Sequence, residues 1–234
     1  MKTFTYFAIA TALMCSPQAV ADDGMLNTIV VTGTRIDAED LRRTPNVTMR
    51  VSADFVLFEV GFVNASLDRS ERNADLEKSY NAIAEAANRN EGISIAVGDV
   101  EESSPMETTT FEESVYDNGS RASLKLVVKA YTKEDDTFEK VRTRVEAFID
   151  GVPEYGRTQS YTDDEQYLGI TDLDRYRPAL VGEIAKEVDT LTQMFKASEI
   201  AVYGLEEQTV TQTVGPMALE IFIPYTISLT SNRN

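Results

Sequence analysis

From Phe55 to Phe62 the chain reads FVLFEVGF, and no other stretch restricts the fold as strongly. In an extended strand, alternate side chains point to opposite faces. Val56, Phe58, Val60 and Phe62 therefore share one face, while Phe55, Leu57 and Glu59 share the other. The first face is wholly apolar, and the strand is expected to have a buried face. A helix follows directly. Asp68-Arg69-Ser70-Glu71 has the D-x-x-E form of an N-terminal capping box. Leu76, Tyr80, Ile83 and Ala87 then recur at helical spacing and make one stripe. The helix is predicted to end near Asn90-Glu91-Gly92, with Gly92 as a left-handed cap.

The same two periods divide the rest of the chain. All of NVTMRVSADFVLFEVGFVNAS, after Pro45, reads as one strand, and ISIAV begins another at Ile93. Residues 99–120 are acidic and rich in Ser and Thr, and METTTFEESVY reads as a strand with a solvated face. A DNGS turn at 117–120 returns it as the strand RASLKLVVKAYT. A second helix is predicted from about Glu134, with Phe138, Val141, Val145 and Phe148 on its stripe, stopping before Gly151-Val152-Pro153. Residues 154–172 read as a strand followed by a loop. A third helix, starting at 173 or 177 and ending at 196, carries Leu180, Ile184, Val188, Leu191 and Phe195. Two strands, about 199–214 and 217–229, close the chain around Gly215-Pro216, the second with Leu219, Ile221, Ile223 and Tyr225 on one face. Strand pairs separated by single helices predict an α+β fold: a mixed or antiparallel sheet with about three helices on one face. A single domain is expected over 46–234, behind an N-terminal arm over 22–45.

The first 21 residues, MKTFTYFAIATALMCSPQAVA, have the regions of a secretory signal peptide in order: Lys2, an apolar run, then Ala19-Val20-Ala21. Cleavage after Ala21 and a periplasmic location are expected. Met14 precedes Cys15 where a lipoprotein signal has a small residue, so no lipid anchor is expected. Cys15 is the only cysteine, so the exported chain has no disulfide and burial must hold it together. No later segment has the ~20 apolar residues of a membrane-spanning helix. With 39 acidic and 22 basic residues, the net charge of −17 repels phosphates and anionic head groups. A nucleic-acid partner is therefore not expected.

The chain has no His and no Trp. Ser-His-Asp and Cys-His catalysis are excluded, and so is any His-based zinc site. No G-x-G-x-x-G, GK[ST] or supported S-x-x-K motif occurs, and no cofactor is expected. These features favour binding or assembly over catalysis. Carboxylates are the remaining chemistry. Asp163-Asp164-Glu165 and Asp172-x-Asp174 offer oxygens to calcium but lack the D-x-D-x-D-G order. A carboxylate-only enzyme would need a pair such as Glu112 with Asp163, which nothing in the sequence joins. Tyr155, Tyr161, Tyr167 and Tyr176 fall in the least regular part of the chain. They are candidate contact aromatics, since a tyrosine ring combines large contact area with a polar tip; the alternative is packing over the sheet edge.

Residues 28–36, TIVVTGTRI, are rich in β-branched side chains. Ile29, Val30, Val31, Thr32, Gly33, Thr34 and Arg35 form a candidate partner-binding strand, able to add to the edge of another sheet. The string resembles the start of the plug domain in TonB-dependent outer-membrane receptors. That resemblance implies an accessory of outer-membrane uptake that docks through this strand. Over most of the chain the layout resembles the SIMPL family of bacterial exported proteins. The residues that carry it are Ile29-Val30-Val31-Thr32-Gly33, Pro45 with DFVLFEVGFVNAS, the Ala-rich NADLEKSYNAIAEAANRN, Gly92-Ile93, the long ALVGEIAKEVDTLTQMF, then VYGLEEQTV and EIFIPYTISL. The opening motif has GTR where the family has G-x-G. The resemblance implies a periplasmic α+β protein without known catalysis, whose relatives are linked to envelope physiology and stress and in part form ring-like or channel-like oligomers. The expected function is a non-catalytic structural or interaction protein, with itself or a cell-envelope protein as partner.

Overall fold

In the computed structural model, which describes residues 45–230, the strand expected after Pro45 is cut in two. It forms β1 (Met49–Ser52) and β2 (Phe55–Asn64), which belong to different sheets. The break has a backbone cause. Ala53 N–H donates to Met217 O and Asp54 N–H to Gly169 O, so the chain changes partners between the two strands.

After β2 come α1 (Arg69–Asn88), β3 (Ile93–Gly98), β4 (Ser103–Pro105), the four-residue α2 (Phe111–Ser114), β5 (Val115–Asp117) and β6 (Ala122–Tyr131). Next are α3 (Phe138–Asp150), β7 (Thr158–Gly169) and α4 (Arg177–Phe195). The last four strands are β8 (Glu199–Tyr203), β9 (Val210–Gly215), β10 (Ala218–Phe222) and β11 (Thr226–Thr230). The main sheet has the order β4-β3-β6-β2-β7, with β5 also beside β6. Two small sheets complete the fold, β1-β10-β9 and β11-β8. All these pairings are antiparallel, so the expected α+β class holds.

Val56, Phe58, Val60 and Phe62 of β2 are buried in one core with Leu124, Leu126 and Val128 of β6. The helices cover that face with Leu76 and Ile83 of α1, Val141 and Val145 of α3, and Leu180 and Ile184 of α4. The face expected to need a cover therefore has all three long helices on it. Phe55 and Leu57 lie on the opposite face, in a smaller cluster with Ala96, Val100 and Val127. Lys129 seals its end: its ammonium stands 4.2 Å from the Phe55 ring centre and 4.9 Å from that of Tyr131.

Several expected elements differ. METTTFEESVY is mostly not strand. Thr110 and Glu113 form a reciprocal capping box, with Thr110 N–H and hydroxyl both donating to the Glu113 carboxylate, and this nucleates α2. Gly92 is not a left-handed cap: α1 closes on Arg89 in right-handed geometry, and Asn90 accepts the Gly92 N–H in a side-chain turn. The two long C-terminal strands each split. Gly204, at φ +90°, turns the chain between β8 and β9, and Pro224 lies between β10 and β11.

At the far end of the sheet a buried polar cluster fixes α1. Arg72 is only 1% exposed, and its guanidinium donates to the carbonyls of Ser66, Leu67 and Gly119 and to both oxygens of Asp117. Asn64, at the end of β2, donates to the Thr158 hydroxyl and accepts from Ser66 N–H. Helix, hairpin turn and two strand ends thus meet through the terminal guanidinium nitrogens of Arg72 and the Asn64 amide, while Arg72 Nε is buried without a partner.

Three carboxylates are held below the usual range. Asp117 is lowered first by Gly119 N–H and then by Arg72 and Arg69, and Glu113 by Thr110. At Asp136 burial opposes the shift, and Lys133 N–H with Arg144 outweighs it. Such groups stabilise the fold fully above their unfolded values, about 3.9–4.3, and lose that contribution as pH falls through the lower folded values. Urea unfolding followed from neutral pH downward is expected to show a loss of stability below about pH 4 from these groups, and Asp117→Asn should make that acid limb shallower. In the core, Leu126→Ala is expected to cost about 2–5 kcal/mol in the same measurement.

Candidate functional site

Two surfaces stand uncovered among the described residues, one at a strand edge and one at the end of α4. The first begins where β4 stops short. It pairs only with Ala96, Val97 and Gly98 of β3, and after Pro105 the chain turns into a 3₁₀ turn, Met106–Thr108. The Tyr80 hydroxyl stands at the carbonyls of Thr109 (2.6 Å) and Met106 (3.3 Å), tying this turn to α1. Burial, first of all, raises the Tyr80 pKa, which keeps the hydroxyl a donor.

A cleft of about 370 Å³ opens between α1, β3 and the 3₁₀ turn. Ala84, Ala87, Ile93, Ile95 and Met106 give it an apolar wall, and Glu91 and Glu107 also line it. Tyr131 N–H donates to Gly92 O, which fixes the phase of the β3–β6 ladder. The backbone groups of Ser94 and Ala96 then turn toward β6, and those of Ile93 and Ile95 turn outward to the cleft. Ile93 N–H is taken by Asn90 O. The Ala96–Pro105 pairing puts Met106 opposite Ile95, with Met106 N–H on the Ile95 carbonyl, and among the described residues no strand stands opposite Ile93 and Ser94 on that side. The opposite edge of the sheet, β7, is protected differently, by Asp163, Asp164 and Glu165 and by a register shift against β2.

The second surface follows the α4 stripe. Leu180 and Ile184 are fully buried, Val188 and Leu191 are half-buried, and Phe195 is 57% exposed, with Met194 beside it at 71%. The stripe thus emerges from the core as it runs toward its C-terminus. Lys196, at φ +47°, reverses the chain into β8. Among the described residues β8 pairs with β11 alone, placing Val202 opposite Ile227 and Ile200 opposite Leu229. These four side chains share one face of the two-stranded sheet, and each is half-buried.

The tyrosines expected as a contact cluster do not converge. Tyr155 lies beside Lys78 of α1, on the helical side of the sheet. Tyr176 packs against the main core and accepts from Arg175, which also pairs with Asp54 at 3.0 Å. Only Tyr161 and Tyr167 share a surface, opposite Gly61 and Leu57 on the side of the sheet away from the helices. Tyr161 lies across Gly61 so closely that a Cβ there would meet its ring at 2.2 Å, which explains the glycine in an otherwise bulky strand.

The acidic candidates also separate. Asp163 shares a small cavity with Glu59, Lys125 and Tyr161, while exposed Glu112 sits on α2, so the two form no pair. Asp164 pairs with Arg142, and Asp172 accepts from Arg175 N–H. Among the described residues, no group of three or more carboxylates is placed to hold a metal ion. The strand Ile29, Val30, Val31, Thr32, Gly33, Thr34 and Arg35 lies outside the described residues. The cleft itself was missed from sequence, because it depends on where β4 ends; the Pro105 that closes β4 is its one local signal. No family model matches the chain, and no match was found among curated proteins.

Tyr167 offers a spectroscopic check on the open face. Burial, then the Glu165 carboxylate 2.9 Å from its hydroxyl, pushes its pKa up to about 12. In an ultraviolet titration, Glu165→Gln is expected to bring this one tyrosine midpoint back toward 10.

Proposed function

We propose that the chain is a non-catalytic structural and interaction protein, exported to the periplasm and of the SIMPL type, that works as a homo-oligomer in the cell envelope. The observation that carries this reading is the α4 stripe, which runs from buried Leu180 to exposed Met194 and Phe195. A helical stripe of this length is costly to leave half in water, and apolar surface of this kind is stabilised by burial against a partner. The adjoining β8–β11 sheet has the same need. A two-stranded sheet is marginal alone, and among the described residues no further strand pairs with this one, whose half-covered apolar face carries Ile200, Val202, Ile227 and Leu229. A second copy meeting the first across this unit would bury both faces at once, as a two-fold contact does.

The acidic surface fits the same role. A net charge of −17 keeps protomers apart except where apolar contact outweighs repulsion, which makes association salt-dependent. Light scattering on the full chain over a range of concentrations is expected to give an oligomer mass that is strengthened by salt. Met194→Glu combined with Phe195→Glu should shift it to monomer while leaving the unfolding free energy of the diluted protein within about 0.5 kcal/mol of the parent. A strict monomer at every concentration would remove this reading.

A further inference from the structure

We infer that two protomers join through β11, whose copies pair antiparallel about a two-fold axis at Ser228 and fuse two β8–β11 sheets into one of four strands. This contact rests on the oligomeric reading above and names the strand that makes it. Among the described residues β11 pairs with β8 alone, so every second N–H and carbonyl along it points away from that partner. Such an edge is a template for a further strand unless charge, proline or a bulge blunts it. β11 has none of these: Thr226-Ile227-Ser228-Leu229-Thr230 is uncharged, and its register against β8 is unbroken. Other edges are less suited. β7 carries Asp163, Asp164 and Glu165, and β4 is three residues long and ends in Pro105. β9 is uncharged, but Thr211 is buried and Gln212 and Thr213 are already engaged.

The order of side chains points to a second copy of the same strand as the partner. Read from either end, TISLT gives hydroxyl, aliphatic, hydroxyl, aliphatic, hydroxyl. Antiparallel pairing about Ser228 therefore sets Thr226 opposite the partner's Thr230 and Ile227 opposite the partner's Leu229, with the two Ser228 residues face to face. One face gains hydroxyl pairs and the other aliphatic pairs, both favourable across strands. This register serves whichever alternate set of backbone groups faces outward, since each set maps onto itself. β8 lacks that symmetry, because the same operation would set Glu199 opposite the partner's Tyr203. An axis perpendicular to the sheet also keeps like faces together. Ile200, Val202, Ile227 and Leu229 of both copies then make one continuous apolar face. The acidic surface does not oppose the contact. Glu199, the one acid in this sheet, lies on the outer strand opposite Thr230. Its two copies stand at least three strand spacings apart, about 14 Å, beyond the ~8 Å screening length.

The test uses the full chain carrying Cys15→Ser, with Ser228→Cys or Thr226→Cys added one at a time; both positions are exposed. At the axis, facing Cβ atoms come to about 4.5–5.5 Å, near enough for a disulfide. The two copies of position 226 lie four residues apart along the strands, about 13 Å, and are out of reach. Mild oxidation is expected to link Ser228→Cys into a dimer, read by mass under denaturing conditions, at least tenfold faster than Thr226→Cys. In the parent sequence, Ser228→Lys sets two ammonium groups face to face, and light scattering is expected to show at least tenfold weaker association. Both results together support the proposal. If the parent forms an oligomer but Ser228→Cys links no faster than Thr226→Cys, or Ser228→Lys associates as the parent does, the β11 contact is overturned and the α4 reading stands. A parent that is monomeric at every concentration overturns both.

Discussion

Strand β2 is hydrogen-bonded to β6 along its whole length and to β7 on its other side, and it is buried on both faces. Its Val56 face receives α1, α3 and α4, and its Phe55 face is closed by a smaller cluster under Lys129. Each neighbouring element is therefore placed relative to this one strand. A register slip of one residue would drive Phe58 and Phe62 out of the helical core and Glu59 into it. The buried Arg72 cluster adds direction to this frame. It ties the start of α1 to the β5–β6 turn at the end of the sheet, so the helix runs back over the sheet with a fixed start.

This dependence explains which parts of the fold were legible in the sequence. The β2 alternation, the Asp68 cap and the α1, α3 and α4 stripes are local patterns, and they predicted three helices packed on one face of a sheet. Breaks that depend on tertiary partners were not visible. Ala53 and Asp54 end one strand and begin another because Met217 and Gly169 capture their N–H groups, 164 and 115 residues downstream respectively. The C-terminal strands divide at Gly204 and Pro224, where the residues give a hint but the change of sheet does not show. The tyrosine candidates failed to gather for a related reason. Tyr155, Tyr161, Tyr167 and Tyr176 are near in sequence, yet β7 sends Tyr161 and Tyr167 to the face away from the helices and leaves the other two elsewhere.

The two incomplete surfaces share one physical origin. The core closes around β2, and among the described residues the elements farthest from it lack partners. The start of β3, at Ile93 and Ser94, has no strand beside it there because β4 ends at Pro105, and α4 outruns the core after Val188. Both leave groups that are favourable to bury: backbone donors and acceptors in the first case, apolar side chains in the second. The proposed role belongs to the second: the α4–β8–β11 unit suits a surface from another protomer.

The claim on which the functional reading rests is that the end of α4 and its sheet become buried between protomers. Hydrogen exchange measured on the full chain at low and high protein concentration addresses it directly. Amides from Leu191 to Tyr203 and from Thr226 to Thr230 are expected to slow as concentration rises, while those of α1 stay constant. Exchange in these segments that is the same at every concentration would contradict the account.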